Sequence, residues 1–479
     1  MVSIVAAGTA WRQWPTGVRT LAVLPLTSDA ADRDVEYLAD GITESLIQRM
    51  SRLPSVSVMA RSTMLNFKGK PADPREIGRQ LGVDAIVTLT VSSRSEQLHI
   101  TAELVDVASG ARLWGDVYNR PAAEVVSVQD EIVNGITDGM RLAVSDDERR
   151  ALARHPTEDA VAYDLYLQAR HLIFRGTEGD VLKARELLVL ATARDRRFAL
   201  AYKALAATYV SLAIDGFARP TDAFPQANRN LAKAFELEPQ LAEAHATAAA
   251  VAFFFDWDWA RAEREWAFAE SLPSGALPTQ ERVSHSMARW VIGGPDDALR
   301  VARALRALDP LTVSYAVLEA DWLFHADQLE AAAALYQKTI DDEPTPDALS
   351  GLAEVRRKQR RFDEALEARR RAHQLAGDDT LLEAFKTARG EEGYRSIDRS
   401  AAEQELDELR ARPATEYVSP LDFARAYARL GNREEAFRHI DRAFADRAPG
   451  LVFLKVDPAL EQIRDDPRLA EAARRVGLP

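Results

Sequence analysis

The hydrophobic positions of this chain repeat in a pattern that favours helices over most of its length. A small residue is followed by a larger one four positions later, by a compact one three positions after that, and often by a proline. The clearest copies are Ala227, Leu231, Ala234, Pro239; Ala298, Ala302, Leu305, Pro310; and Ala332, Tyr336, Thr339, Pro344. Offsets of four and three place residues on one stripe of a helix, and the proline marks where that helix has stopped. The recurrence predicts a stacked helical array.

Looser copies of the pattern begin at Ala184, Ala262, Ala365 and Ala436. An alanine at a helix crossing lets two backbones approach closely, while the larger residue fills the hole beside it. Each helix pair needs a neighbour to bury its apolar face. We therefore predict six to seven divergent repeats over residues 157–479, closed by a C-terminal cap. The extra residues before Ala227, SLAIDGFARPTDAFPQ, predict a longer loop between the two helices of one repeat.

Residues 18–145 have a different pattern of strands and amphipathic helices. TLAVLPL and VSVMA are typical of short strands, and Leu38, Ile42, Leu46 and Met50 fall on one helical stripe. Period-two alternation then predicts three strands, in DAIVTLTVSSR, QLHITAELVDV and ARLWGDVYNR. Because their connections are tight, these strands must be antiparallel.

Two further helices complete this N-terminal unit. PREIGRQLG predicts a short helix that ends at Gly82, and a final helix from Val125 directs Val128, Ile132 and Ile136 inward. The predicted fold class is an α+β N-terminal domain followed by an all-α helical-repeat superhelix.

Both parts resemble known modules. The repeats resemble the tetratricopeptide repeat, with departures at Arg356, Arg369 and Gly377. The N-terminal unit resembles the TolB amino-terminal-like, FlgO-like domain that precedes such repeats in many bacterial signalling proteins. The residues that carry this second resemblance are LAVLPL, EYLADGITESLIQRMSRLPSVSVMARST, FKGK, REIGRQLGVDAIV, AELVDVASGARLWGDVYNR and VQDEI. In that family the module usually follows a transmembrane helix, which is itself preceded by a kinase, winged-helix or adenylate cyclase domain. None of these output domains is present in this sequence.

Composition narrows the classes of function. The formal net charge is −13, which argues against a general nucleic-acid binder, because phosphate contacts need a basic face. The absence of cysteine excludes disulfides, thiol catalysis and cysteine metal sites. We therefore expect a protein or peptide partner and no nucleic acid, while the oligomeric state stays open.

The first residues suggest a contact with a membrane. Residues 1–17 begin with the apolar run MVSIVAAGTA and continue to Trp11, Arg12 and Trp14, which are residue types that favour a membrane interface. The run is too short to span a bilayer. One hypothesis is that it is the end of a membrane helix and tethers the chain; the other is a disordered or packed arm. On the first hypothesis, a tethered extracytoplasmic (periplasmic) location is favoured over a soluble cytoplasmic one.

Catalytic chemistry has little support in the sequence. Gly69 and Lys70 lack the remaining residues of a phosphate loop, and no metalloprotease, hydrolase or kinase signature is present. The evenly spaced His245, His285 and His325 occupy different positions in their repeats, so no shared metal site is expected. We expect no catalytic residue, cofactor or metal, and no enzymatic activity.

Three sets of residues are candidate interaction sites. In the N-terminal unit, Arg61, Ser62, Lys68 and Lys70 form either an anion or partner site, or ordinary turns and caps; an unrecognised enzyme built on this loop is the weakest hypothesis. Trp257 and Trp259 are either inter-repeat core or an aromatic patch for a partner. The groove of the superhelix is predicted to expose Asp347, Ser350, Glu354, Arg357, Lys358, Arg425 and Arg429.

Basic groups in such a groove would favour an acidic peptide, although a solvated charged face is the alternative. The sequence therefore supports two functions. The first is a non-enzymatic interaction module, either scaffold or sensor, in bacterial signal transduction. The second is the detached regulatory portion of a membrane receptor such as a Ser/Thr kinase, an adenylate cyclase or a winged-helix regulator.

Overall fold

Alternating apolar residues build a sheet in the first of the two units into which the chain divides, residues 1–154 and 155–479. The computed structural model describes residues 19–25, 27–28, 33–59, 63–64, 67–68, 73–94, 97–121, 124–142, 144–153, 155–272, 279–309 and 311–478. The strands of the first unit are β1 (Thr20–Val23), β2 (Thr27–Ser28), β3 (Ser57–Val58), β4 (Ala85–Arg94), β5 (Gln97–Asp106) and β6 (Arg112–Pro121).

The sheet order is β3-β1-β4-β5-β6, and β2 also pairs with β4. The first three strands in this order are parallel, whereas β4, β5 and β6 are antiparallel, as their tight connections predicted. The helices of this unit are α1 (Arg33–Met50), α2 (Pro74–Leu81), α3 (Val125–Gly139) and α4 (Asp146–Leu152). Leu38, Ile42, Leu46 and Met50 of α1 are buried, so the predicted stripe is its core face.

Helix α3 approaches β6 closely at two glycines. A Cβ atom on Gly135 would lie 2.1 Å from the ring of Trp114, and one on Gly139 would lie 2.8 Å from the same side chain. The absence of side chains there lets the indole lie against the helix backbone. The inward residues Val128, Ile132 and Ile136 of α3 are buried as predicted.

The second unit is built from helix pairs joined by short connections. Its helices are α5 (Ala160–Arg175), α6 (Glu178–Arg194), α7 (Ala199–Ile214), α8 (Pro220–Leu237), α9 (Ala242–Val251), α10 (Trp259–Ser271), α11 (Thr279–Gly293), α12 (Pro295–Leu308), α13 (Val313–His325), α14 (Leu329–Asp342), α15 (Pro346–Lys358), α16 (Phe362–Ala376), α17 (Leu382–Thr387), α18 (Gly390–Ala411), α19 (Pro420–Arg429), α20 (Arg433–Asp446) and α21 (Pro467–Val476). A π-helical turn, Ala252–Asp256, follows α9.

The second helix of each pair carries the predicted stripe of small residues. In α8, for example, Ala227, Leu231 and Ala234 are almost completely buried, and Ala332, Tyr336 and Thr339 are likewise buried in α14. Each helix pair also contacts the next, as in a tetratricopeptide-type solenoid. The predicted fold class, an α+β domain followed by an all-α repeat array, is confirmed.

The predicted long loop before Ala227 is wrong. Helix α7 continues to Ile214 and α8 begins at Pro220, so the extra residues lengthen both helices. A proline at the first helical position has its φ angle already set for a helix and needs no hydrogen-bond acceptor for an N–H group. Ala223 and Phe224 are then buried, which gives this first turn a packing partner.

The predicted N-terminal arm, residues 1–17, lies outside the described residues. Within the part of the chain that the structure describes, none of the helices combines the length and the apolar character needed to cross a membrane.

Candidate functional site: the inner face of the helical array

Two short 3-10 helices near the C-terminus lie against helices from distant parts of the array. Pro449–Phe453 contacts α7 and the π-helical turn, and Pro458–Ile463 contacts α19. We call residues 449–463 the C-terminal segment, and the surface of α7, the π-helical turn, α11, α15 and α19 that meets it the inner face. Because helices so far apart in sequence contact one segment, the array must curve around it.

Apolar side chains anchor the C-terminal segment. These side chains are almost completely buried, and they share one core cluster with α7, α8, α9, α10 and α19. The anchoring residues are Leu451, Val452, Leu454, Leu460 and Ile463. Phe453 adds an aromatic contact, with its ring centroid 6.3 Å from that of Phe254 and 6.0 Å from that of Trp290. Ring pairs at such distances stabilise a contact beyond the area they bury.

Arg357 of α15 connects the inner face to the C-terminal segment. Its Nη2 lies 3.0 Å from Oε2 of Glu461, and its Nε donates to Oε2 of Glu354 across 2.8 Å. Burial opposes the charge of the guanidinium, but Glu354 and Glu461 outweigh it and raise the pKa of Arg357 above its ordinary value. Glu354 is itself oriented by Tyr394, whose hydroxyl donates to Oε1 across 2.7 Å.

Arg425 of α19 makes a second connection of the same kind. Its Nε donates to Oδ2 of Asp457 across 2.7 Å, and its Nη1 donates to Asp422 across 3.0 Å. Burial opposes this charge too, yet Asp457 and Asp422 raise the pKa of Arg425. Asp457 also accepts the backbone N–H of Ala459, so it caps the second 3-10 helix.

The side chain of Arg429 belongs to a neighbouring network within the helices, while its carbonyl accepts a hydrogen bond from Nε2 of Gln462 in the C-terminal segment across 2.8 Å. It donates to Glu405 across 2.8 Å and to Asp398 across 3.0 Å, and Arg369 also donates to Asp398 across 3.0 Å. Burial raises the pKa of Asp398, but Arg429 and Arg369 lower it by more than burial raises it. The pKa of Asp398 therefore lies below its ordinary value. Arg369 departs from the repeat pattern because it is one member of this buried network.

The remaining predicted groove residues lie towards the two ends of α15. Asp347 and Ser350 are exposed, and Lys358 pairs with Asp327 at 2.9 Å while lying over the ring of Phe324. The structure therefore brings Arg357 and Arg425 to the C-terminal segment, whereas Asp347, Ser350 and Lys358 do not share that contact.

Two titratable groups of α13 have displaced pKa values. Burial and the neighbouring Asp347 raise the pKa of Asp321 to about 6, although a hydrogen bond from the Tyr336 hydroxyl acts in the other direction. Burial, together with Lys358 and Arg464, lowers the pKa of His325 to about 4. His325 lies against the ring of Trp290, with the centroids 4.1 Å apart.

The two tryptophans predicted as core or partner patch both contact their own chain. Trp257 packs edge-on against Phe444 with the centroids 5.9 Å apart, and the guanidinium of Arg447 lies over its ring. Trp259 donates from Nε1 to the carbonyl of Gly477 across 3.0 Å. Both rings are partly buried against the main core cluster, so they join the middle of the array to its C-terminal end.

The N-terminal candidate loop is described only in part, because Arg61, Ser62 and Lys70 lie outside the described residues. Lys68 pairs with Glu36 and Asp40 of α1, each at 2.9 Å. Burial opposes the charge of Lys68, but these two carboxylates raise its pKa. Lys68 thus connects its turn to α1. Across the described residues of both units, no cluster of three His, Asp or Glu side chains could hold a metal ion.

Taken together, the inner face can bind carboxylates through charge-assisted hydrogen bonds and can bury apolar side chains between them. The repeat register predicted that Arg357 and Arg425 face the groove, and the structure places both on the inner face. The sequence pattern singles out neither Phe254 nor Trp290, and it does not predict that the C-terminal segment docks on this face. The one available signal was the alternation of apolar and acidic residues in LVFLKVDPALEQI.

Comparison with known sequences gives a partial match. No protein-family model matches the chain. A putative adenylate cyclase 3 from Rhizobium meliloti (strain 1021) is 30% identical over 186 residues, which is 39% of this chain and 32% of that protein. The match thus spans about a third of the length of this curated relative.

Comparison with solved structures gives loose likenesses. A tetratricopeptide repeat protein from Parabacteroides merdae ATCC 43184 has a TM-score of 0.35 and 13% identity, covering 55% of this chain and 97% of that one. TolB from Acinetobacter baumannii has a TM-score of 0.20 and 14% identity, covering 26% of this chain and 29% of that one. The helix pairs and their stripes of small residues, rather than these likenesses, define the fold.

Proposed function

We propose that this chain is a non-catalytic protein-interaction module that binds an acidic segment of a partner protein along its inner face. The observation that carries this proposal is that Arg357 and Arg425 already hold two carboxylates, Glu461 and Asp457, on that face. A helical-repeat array offers a long continuous surface for such a segment, and paired arginines recognise carboxylates strongly. The exposed Lys358 would extend the contact with acidic side chains, and the exposed Ser350 could donate a hydrogen bond to them.

Capture of partners by matched variants tests this proposal. The purified chain and its Arg357→Gln/Arg425→Gln variant are used to capture proteins from the native organism, and acidic segments of the captured proteins are synthesised and titrated calorimetrically. Arg474→Gln is the matched control, because Arg474 pairs with Glu471 on the exposed side of one helix. We expect the wild type and the control to bind such a segment and the double variant to lose at least about tenfold in affinity. Equal affinity for all three proteins would refute the proposal.

The place of this module in signal transduction is the second part of the proposal. The resemblance of the N-terminal unit to a TolB amino-terminal-like domain supports it, since such domains precede repeats in bacterial signalling proteins. A tether near residues 1–17 and an extracytoplasmic location would fit the same architecture.

A second candidate function is the regulatory portion of a membrane receptor whose output domain lies on another polypeptide. The partial match to a putative adenylate cyclase favours this alternative. Its test is the cyclic AMP produced by a cyclase catalytic domain from the same genome, with and without this chain. A change in rate that requires the chain would support regulation, and an unchanged rate with every cyclase of the genome would exclude it for this class of output.

A further inference from the structure

The C-terminal segment occupies the part of the inner face to which the proposed function assigns the partner. Three of its side chains contact the inner face in regular order: Phe453 contacts Phe254 and Trp290, Asp457 pairs with Arg425, and Glu461 pairs with Arg357. They are four residues apart, so an aromatic ring is followed by two carboxylates at equal steps. The segment is therefore an intramolecular ligand of this surface.

From this arrangement we infer that the C-terminal segment is an internal competitor, and that the partner is an acidic amphipathic segment that replaces it on the inner face. This inference rests on the proposed function and adds its regulation and the chemistry of its ligand.

The buried apolar residues define what the partner must supply. Release of the segment would expose Leu451, Leu460 and Ile463, which are fully buried, and exposing apolar side chains to water is unfavourable. The segment therefore remains docked when no partner is present. A partner with carboxylates alone could not replace it, whereas one with apolar side chains between its carboxylates could remake both sets of contacts.

The ion pair between Glu461 and Arg357 is the more exposed of the two that hold the C-terminal segment. Glu461 is 57% exposed and Arg357 is 26% exposed, so this ion pair lies at the edge of the contact. Asp457 is more enclosed than Glu461, at 10% exposure, while its partner Arg425 is 30% exposed. Neutralising both carboxylates weakens the docked segment and leaves its apolar anchors and the arginines of the inner face unchanged.

The test uses a fluorescent synthetic peptide with the sequence of residues 448–466, APGLVFLKVDPALEQIRDD, added to the full chain. The wild type is compared with Asp457→Asn/Glu461→Gln, with Arg357→Gln/Arg425→Gln, and with the control Glu471→Gln, which removes a carboxylate from α21. We expect the acid-neutralised chain to bind the peptide at least about tenfold more tightly than the wild type and the control. The arginine variant should show no binding. Hydrogen exchange in residues 449–463 of the chain should become faster when the peptide is bound.

Each other result has a distinct meaning. The peptide could bind equally tightly to the wild type and the acid-neutralised chain and still need the two arginines. That result would refute the inference that the C-terminal segment competes for the inner face, and it would leave the proposed function intact. Failure of every chain to bind the peptide would overturn both. If the double acid variant does not fold, the single Glu461→Gln variant carries the same comparison, because that side chain is largely exposed.

Discussion

The guanidinium of Arg425 donates from Nε to Oδ2 of Asp457 across 2.7 Å, joining a helix of the array to the segment that lies on its inner face. Asp457 is only 10% exposed, so its carboxylate is largely shielded from water. This pair and the pair of Arg357 with Glu461 are two of the polar contacts that join the array to its own C-terminal segment. Gln462 of that segment also donates from Nε2 to the carbonyl of Arg429 across 2.8 Å.

A double-mutant cycle measures the strength of the first pair. We expect Arg425→Gln to destabilise the chain by about 1–3 kcal/mol, because it leaves the Asp457 carboxylate partly buried without its charged donor. Asp457→Asn keeps the cap on Ala459, and combining both changes should cost less than the sum of the two. Urea unfolding of the four proteins checks this. Strict additivity would mean that the two side chains do not interact. Asp465→Asn is the control, because that carboxylate is 76% exposed.

Much of this architecture could be predicted from local pattern. The spacing of Ala227, Leu231 and Ala234 identifies the packed face of a helix because residues three and four apart lie on one side of it. The docking of the C-terminal segment could not be predicted, since it depends on contacts such as that of Phe453 with Trp290, which no local periodicity records. The loop predicted before Ala227 is wrong because Pro220 starts a helix there instead of interrupting one.

The stripe of small residues leads to a prediction about packing. Ala234 is completely buried in α8, so Ala234→Arg should overpack the helix crossing and cost about 1–3 kcal/mol or more. Ala232 is exposed on the same helix, and Ala232→Arg should change stability little. Thermal unfolding followed by far-UV circular dichroism compares the two variants. Equal melting temperatures would show that this face of α8 is not a packed crossing.

Gly351 of α15 gives a second packing prediction. A Cβ atom there would lie 2.4 Å from the ring of Tyr336, which is fully buried, so Gly351→Ala should destabilise the chain by about 1–3 kcal/mol. A Cβ atom on Gly179 of α6 would have no neighbour within 4 Å, so Gly179→Ala should be neutral or stabilising by up to about 1 kcal/mol. Urea midpoints of the two variants and the wild type test this contrast. If helix propensity alone mattered, both alanine variants would be more stable than the wild type, and the packing prediction would be wrong.

The pKa of Asp321 predicts a pH dependence of stability. Because burial raises this pKa from 3.8 to about 6, the native state holds a proton that the unfolded chain has released above about pH 4. This stabilisation is complete below about pH 4 and is lost as the pH rises through about 6, by an amount on the order of 3 kcal/mol.

The variant that checks this is Asp321→Asn, compared with the wild type at pH 4.5 and pH 7. We expect the asparagine to be more favourable, relative to the wild type, at pH 7 than at pH 4.5. The comparison is made between variants because His325, with its pKa lowered to about 4, produces the opposite trend in the same range. Asp341→Asn serves as the control because Asp341 is exposed, and an equal pH trend in both variants would contradict the assignment to Asp321.

The most direct test of the inner face as a receptor for acidic segments is hydrogen exchange of residues 449–463 in the full chain. We compare the wild type with Arg357→Gln/Arg425→Gln and with the control Arg474→Gln. The loss of two charge-assisted contacts should make these amides exchange at least about tenfold faster in the double variant alone. Identical exchange in all three proteins would show that the two arginines do not hold the segment, and would contradict the account.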